Sequence, residues 1–515
     1  MTGPRALVGC VILVLFAGAV GLVGAAGDPQ PSGAANGAGG QHRGAGTAGD
    51  PQRPGGATTV FADGRTAFSF PAANLREDER TRFVIGNSFF RRNWVQAPAS
   101  TRARDGLGPH FIARSCGGCH VQDGRGPPPR IEDGVNVEQP VALLFRLSVP
   151  GVDAHGGPLP DPVYGGQFAN AAVRGVRPEG MVEVRMRPVP GRFDDGTPYE
   201  LLKPEYRLSS LGYGDLHPEV MIGPRIAPQL IGAGLLEAIP EAEIRENARR
   251  QAAAGGAVRG KPNVVWDAFA GRTMIGRFGW KANVATLAHQ TGSAFRDDIG
   301  ITSSRFPEEA CMEKQADCRA APRGSGQPVA AARIAATEAT VSDRPLPEID
   351  DRTFADVVFY TATLAPPARR DHDDPVVARG EAVFHASGCA ACHRPSYTTG
   401  AAPLAGRHPE FGSEALAGQV IWPYTDLLLH DMGEGLADGR PDFRAGGREW
   451  RTPPLWGIGM IEAVNGHERL LHDGRARGVL EAVMWHDGEA RESRERVRGL
   501  SAADREALVR FVRSL

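Results

Sequence analysis

Two five-residue frames, Cys116-Gly-Gly-Cys-His120 and Cys389-Ala-Ala-Cys-His393, constrain this chain more than any other feature of its sequence. In each, two thiols three positions apart are followed at once by an imidazole. That arrangement binds haem through two thioether bonds and one axial nitrogen. A redox C-x-x-C pair or a Cys/Cys/His zinc site would not require the histidine to follow its second cysteine directly. The residues predict two covalently bound haem c groups, on Cys116, Cys119 and His120 and on Cys389, Cys392 and His393, with His120 and His393 as iron ligands. Cys311 and Cys318 lie outside both frames in a polar loop. Their seven-residue spacing lacks C-x-x-C character, and an oxidising compartment predicts a local disulfide.

Haem c is attached outside the cytoplasm, so an export signal is expected. Arg5 precedes an apolar run from Ala6 to Val23 and then small residues to Ala26, which predicts a cleavable signal peptide over residues 1–26 and a periplasmic protein. The run is long enough to act as a membrane anchor if left uncut. Residues 27–65, rich in Gly, Ala and Pro, are expected to be a disordered linker. With 58 basic against 60 acidic residues the net charge is −2. No broad cationic surface exists for nucleic acid, which is excluded as a partner.

At 515 residues the chain is too long for one ordinary core. Phe111 and Phe384 each stand five residues before the first cysteine of a frame, and an amphipathic helix closes each segment, over residues 352–364 and 501–515. Helix, haem frame, loops and closing helix is the plan of a class I cytochrome c module. The expected fold class is mainly α, with two such haem domains over residues 66–365 and 370–515. The first carries a large insertion, at about residues 131–265, that contains β-strands. Strand signals run over residues 141–149, 182–189 and 199–208, with a turn at Asp194, Asp195 and Gly196, and a helix follows over 240–254.

Beyond the frames, the stretches Asp105–His120, Asp161–Gln167 (DPVYGGQ), Gly276–Ala282 (GRFGWKA), Trp422–Gly439, Glu449–Gly459 (EWRTPPLWGIG) and Leu470–Ala476 (LLHDGRA) together resemble the bacterial di-haem oxidoreductases, sometimes labelled thiol oxidoreductases. That family is related to the bacterial di-haem cytochrome c peroxidases, and the resemblance runs from about residue 68 to the C-terminus. In the peroxidase relatives a Trp between the haems opens a W-D-G-R-A-x-S-L-E-E-Q stretch. Here WKANVATLAHQ, Trp280 to Gln290, keeps Trp, Leu and Gln in register. The resemblance implies that Trp280 is an inter-haem electron relay, although burial alone would also call for a Trp. The relatives' acid/base Glu, ten residues past the Gln, falls on Gly300. Acid/base help is therefore expected from Asp298 or Asp297, with Gln290 as the alternative that orients a water.

For the second haem the resemblance implies His486 as second axial ligand, with Met484, Met432 and Met460 as competitors. Arg451 and Arg475 are candidate partners of haem propionates, because a planar guanidinium matches a carboxylate at two points. His430 and His472 are expected to form hydrogen bonds rather than ligate iron. No distal ligand is assigned to the first haem; His155, His217 and His289 are lone histidines. Relatives bind calcium between domains or in an acidic loop, but the corresponding residues 252–263 carry no carboxylate. Calcium is thus implied by the family and not by these residues.

The function these readings imply is that of a periplasmic di-haem c oxidoreductase resembling the peroxidases. It would reduce hydrogen peroxide at the first haem with electrons passed through the second from a small periplasmic cytochrome or copper protein. Two alternatives stay open: an enzyme that oxidises a protein or organic substrate through a high-valent iron state, and a non-catalytic electron-transfer cytochrome.

Overall fold

The computed structural model describes residue 50 and residues 52–101, 103–324, 346–401 and 409–515. The signal segment and most of the linker lie outside these residues. The linker's last part, read above as disordered, is tied to the body by backbone hydrogen bonds. Arg369 N–H donates to Gln52 O (3.0 Å), Trp422 N–H to Pro54 O (2.7 Å), and Val60 pairs with Pro367. Such bonds leave no mark on composition, and so a Gly/Pro-rich stretch could be misread as free chain.

Two crossing helix pairs repeat one device. Helix Glu77–Arg91 packs on helix Asp351–Ala362, and helix Pro375–Ala386 on helix Ala502–Ser514. A glycine sits at each crossing. A Cβ on Gly86 would stand 2.1 Å from Asp356 O, and one on Gly380 would stand 1.9 Å from Ala507 O. Any larger residue would force each pair apart. Asp350, Asp374 and Ser501 cap the N-termini of their helices by accepting backbone N–H bonds.

The expectation of a mainly α chain is wrong: 31% of the structure is helix and 19% strand, in several small sheets. The strands read in the insertion are present. Met181–Arg192 and Pro198–Ser209 form a long antiparallel hairpin with Met181 opposite Ser209, and Leu143–Val152 pairs with Met221–Ile226. Three two-stranded ladders outside it had no readable signal: Val264–Asp267 with Arg272–Ile275, Tyr397–Thr398 with Val420–Ile421, and Leu429–Asp431 with Glu449–Arg451. Pieces of two to four residues are too short to show an alternation.

The hairpin tip reaches the C-terminal helices. Asp195 pairs with Arg505 (2.6 Å), and Arg505 lies 4.1 Å over the Phe193 ring. Nearer its base, Tyr206 donates to Asp473 (2.9 Å). The insertion thus braces the segment that carries Asp473, and its strand Met221–Ile226 leads into Pro228, which contacts His120. No helix among the described residues is long and apolar enough to cross a membrane.

Candidate functional site

The first frame forms one short helical turn, Cys116–Cys119, and His120 ends it. His120 Nδ1 stands 2.8 Å from Pro228 O, and His393 Nδ1 stands 2.9 Å from Tyr424 O. A carbonyl can only accept, so each Nδ1 carries the proton and each Nε2 keeps its lone pair. Such a bond to the far nitrogen is the one that orients a metal-ligating imidazole. Burial lowers the proton affinity of His120, and that of His393 falls to about 4 through burial and the nearby His486. The four frame cysteines are unpaired, and burial pushes the Cys116 and Cys389 thiols up to about 12. Thiols so reluctant to ionise are poorly suited to disulfide exchange.

One cavity of about 990 Å³ is lined by both frames and by Trp280. The Trp280 indole N–H donates to Ile226 O (2.8 Å) and its carbonyl accepts from Arg451 N (2.9 Å). Arg125 lies 5.1 Å over its ring. Arg125 and Arg451 both line the cavity, are buried, and have no ion-pair partner among the described residues. Burial brings both guanidinium groups down to about 10, and Arg125 Nε has no hydrogen-bond partner. Two buried cations on one apolar wall call for anions. The residues present therefore fit haem, whose propionates supply that charge. Arg125, five positions after His120, was missed in the sequence because arginines are numerous there. Arg475 is placed differently from expectation: Asp473 holds it at 2.7 Å, and it does not line the cavity.

The remaining predicted residues divide by position. Gly300 adopts φ 75°, and a Cβ there would stand 2.5 Å from Gly108 Cα and 2.8 Å from His110 O, so the relatives' Glu has no room at this position. Asp297 and Asp298 sit on a π-helical turn, Phe295–Ile299, and Gln290 also lines the cavity. Asp297 is committed to Arg296 (2.8 Å) and Arg146 (3.2 Å). Asp298 accepts from Gln167 Nε2 (2.7 Å), and burial raises it to about 6. Its charge is felt by both Cys116 and Cys119, so it stands beside the first frame.

His486 lines the same cavity, its Nδ1 donating to Ala482 O (2.6 Å). Of its competitors Met432 lines the cavity, whereas Met460 and Met484 do not. His120 Nδ1 is committed to Pro228 O, and Asp123 is the charged group that acts on this imidazole. His155 stacks on Trp266 (4.0 Å), His289 packs on Phe306, and His472 stacks on Trp450 (3.7 Å). His217 Nδ1 accepts from Glu219 N–H (3.1 Å). His430 lies between Asp426 (2.8 Å) and Glu489 (2.7 Å). Cys392, Asp426 and His430 are the one group with metal-ligand spacing among the described residues. It uses a frame cysteine and offers no calcium-like set of oxygens. The predicted disulfide between Cys311 and Cys318 is present.

A family model described as "Di-haem oxidoreductase, putative peroxidase" matches residues 49–515. No curated protein matches the chain. Among solved structures, Kuenenia stuttgartiensis hydrazine synthase pressurized with 20 bar xenon aligns at 15% identity and a TM-score of 0.22, covering 34% of this chain and 58% of that one. At that score the alignment carries no argument, and it spans little more than half of the other chain.

Proposed function

The chain belongs to the di-haem oxidoreductase family, and from that premise we propose that it is an exported, peroxidase-like enzyme that reduces hydrogen peroxide beside the first frame. Electrons enter at the second frame from a small periplasmic cytochrome or copper protein. Covalently held haem c, when bound, supplies the one-electron redox chemistry and the site at which peroxide is reduced. Cys116, Cys119, Cys389 and Cys392 would tether it, and His120 and His393 would present Nε2 to it. His486 would complete the second site. Arg125 and Arg451 would hold its propionates, and Trp280, which lines the cavity together with both frames, would be the electron bridge.

The observation that carries this reading is an asymmetry. The imidazoles that act on His393 are His486 and, less strongly, His430, which is held by Asp426 and Glu489, whereas the charged groups that act on Cys116 of the first frame are Asp298 and, less strongly, Asp123. A carboxyl raised to about 6 is mostly ionised at neutral pH. It can take a proton from peroxide and return it to the departing hydroxide, while Gln167 holds its orientation. Each peroxide reduced to two waters consumes two electrons and two protons. The loaded protein should show one high-spin and one low-spin signal by electron paramagnetic resonance, and should oxidise a reduced cytochrome only when peroxide is added. Two low-spin signals with no peroxide-dependent turnover would leave an electron carrier.

A further inference from the structure

A second buried acid lines the cavity, and the proposed chemistry does not use it. Glu179 is 2% exposed. Its Oε2 accepts from Ala169 N–H (2.6 Å) and its Oε1 from Gln315 Nε2 (2.7 Å). His110 stands opposite, with Nδ1 3.8 Å from Glu179 Oε1 and no hydrogen-bond partner of its own. His110 Nε2 lies 2.8 Å from Arg177 O, which can only accept, so the ring proton is on Nε2 and the Nδ1 lone pair faces the carboxyl. Two buried lone pairs facing each other are repulsive unless a proton stands between them. Both residues border the cavity that contains Cys116 and Asp298.

A line of polar groups leads from the pair to the surface. His110 Nε2 lies 3.0 Å from the Tyr213 hydroxyl, which donates to Arg177 O (2.8 Å) and lies beside Asp317, whose side chain is partly exposed. Gln315 and Asp317 both lie in the loop that the Cys311–Cys318 disulfide closes, so it holds both ends of this line.

We propose that Glu179 and His110 form a redox-linked proton store, which loads one proton as the first haem site gains an electron and releases it to solvent through Tyr213 and Asp317 as the site loses one. On unloading, the Glu179 O–H proton passes to His110 Nδ1, the Nε2 proton to the Tyr213 oxygen, and the Tyr213 proton, as its hydroxyl turns from Arg177 O, to Asp317 and water. Glu179 is left as a carboxylate beside Nδ1–H. Loading reverses each transfer, so one proton crosses for one electron and every residue returns to its starting form. Burial raises the Glu179 carboxyl to about 8, near enough to neutrality to switch. The other charged and titratable groups facing the pair are Asp161, Asp317, Arg177, Tyr164 and Tyr213. The inference rests on the first frame as a haem site and not on peroxide as substrate.

The test is a potentiometric titration of the haem-loaded protein at a series of pH values, followed optically at the first haem. Coupling of one proton to one electron moves the potential by up to about 59 mV per tenfold change in proton activity, with a break near pH 8. Glu179→Gln, which keeps shape and volume, should abolish that break. Asp298→Asn should keep it, and Tyr213→Phe should keep the equilibrium slope while slowing the response to a pH jump. A carboxylic-acid carbonyl band in the infrared difference spectrum should vanish with Glu179→Gln alone. A wild-type potential independent of pH, or a break and band that survive Glu179→Gln, overturns the store. If both are lost in that variant while the wild type lacks peroxide turnover, the peroxidase reading fails and the store stands.

Discussion

Replacing Arg451 with Leu tests the charge argument on which the haem assignment rests. Burial brings the Arg451 guanidinium down to about 10, and at ~1.36 kcal/mol per tenfold change in proton affinity that is about 3 kcal/mol against holding the charge. Among the described residues the compensating charge is Asp426, which is itself committed to His430 and Gln251. A haem carboxylate at contact distance returns about 4 kcal/mol at an effective dielectric constant near 20, enough to offset the burial. In the loaded protein Arg451→Leu should leave that carboxylate buried and unpaired and cost about 3–5 kcal/mol of stability. It should also lower the potential of the second haem, because a positive charge that favoured its reduced state is gone. The assay is guanidinium unfolding followed through the haem absorption, with Arg475→Leu as control. Arg475 is matched by Asp473 and lies outside the cavity lining, so its loss should destabilise without moving either potential. A loaded Arg451→Leu protein as stable as the wild type would refute the reasoning, since the guanidinium would then have no anion to lose.

His486→Ala should convert the low-spin signal of the second haem to high-spin and raise its potential, read by paramagnetic resonance and potentiometry; an unchanged low-spin signal removes His486 as ligand. His430 is held in its charged form: burial opposes the charge, but Asp426 outweighs it and the imidazole lies well above its usual value. A raised group of this kind contributes stability that is complete below about pH 6.5 and is lost as pH rises through the higher folded-state value. Chemical denaturation across the alkaline range should show that loss, and His430→Gln should flatten it. Converting both Cys311 and Cys318 to Ser opens a short loop, for which chain entropy predicts about 2 kcal/mol of destabilisation. Thermal unfolding should report it, with haem content unchanged.

What could be read from the sequence was local. A cysteine frame, an amphipathic closing helix and a hairpin turn at Asp194 and Asp195 are each set by neighbouring residues, and each is where it was expected. What could not be read depends on pairings across the chain. Gln167 and Asp298 are separated by 131 positions, and nothing near Gln167 marks it as a partner. Ladders of two or three residues, such as Leu429–Asp431 with Glu449–Arg451, are created by the packing around them. The HDGR segment shows the limit most directly. A free propionate-binding arginine and one already bridged to Asp473 two positions earlier have the same sequence, and only the side-chain direction separates them.

The same cations bear on how Trp280 works under the proposed function. Arg125 over a neutral indole is mildly attractive, but over an oxidised, positive indole it is repulsive. At about 5 Å and an effective dielectric constant near 20 the repulsion is about 3 kcal/mol, roughly two orders of magnitude in the population of oxidised Trp280. A propionate beside Arg125 reduces that figure without reversing its sign while the guanidinium stays nearer the ring. Trp280 is therefore poorly placed to store an oxidising equivalent and well placed to bridge electrons moving towards the first frame. Oxidation of an outside substrate through aromatic side chains would need the opposite environment, an anion or a neutral group over this ring. Peroxide reduction needs only the bridge, and that is why the charge around Trp280 favours it over the high-valent alternative.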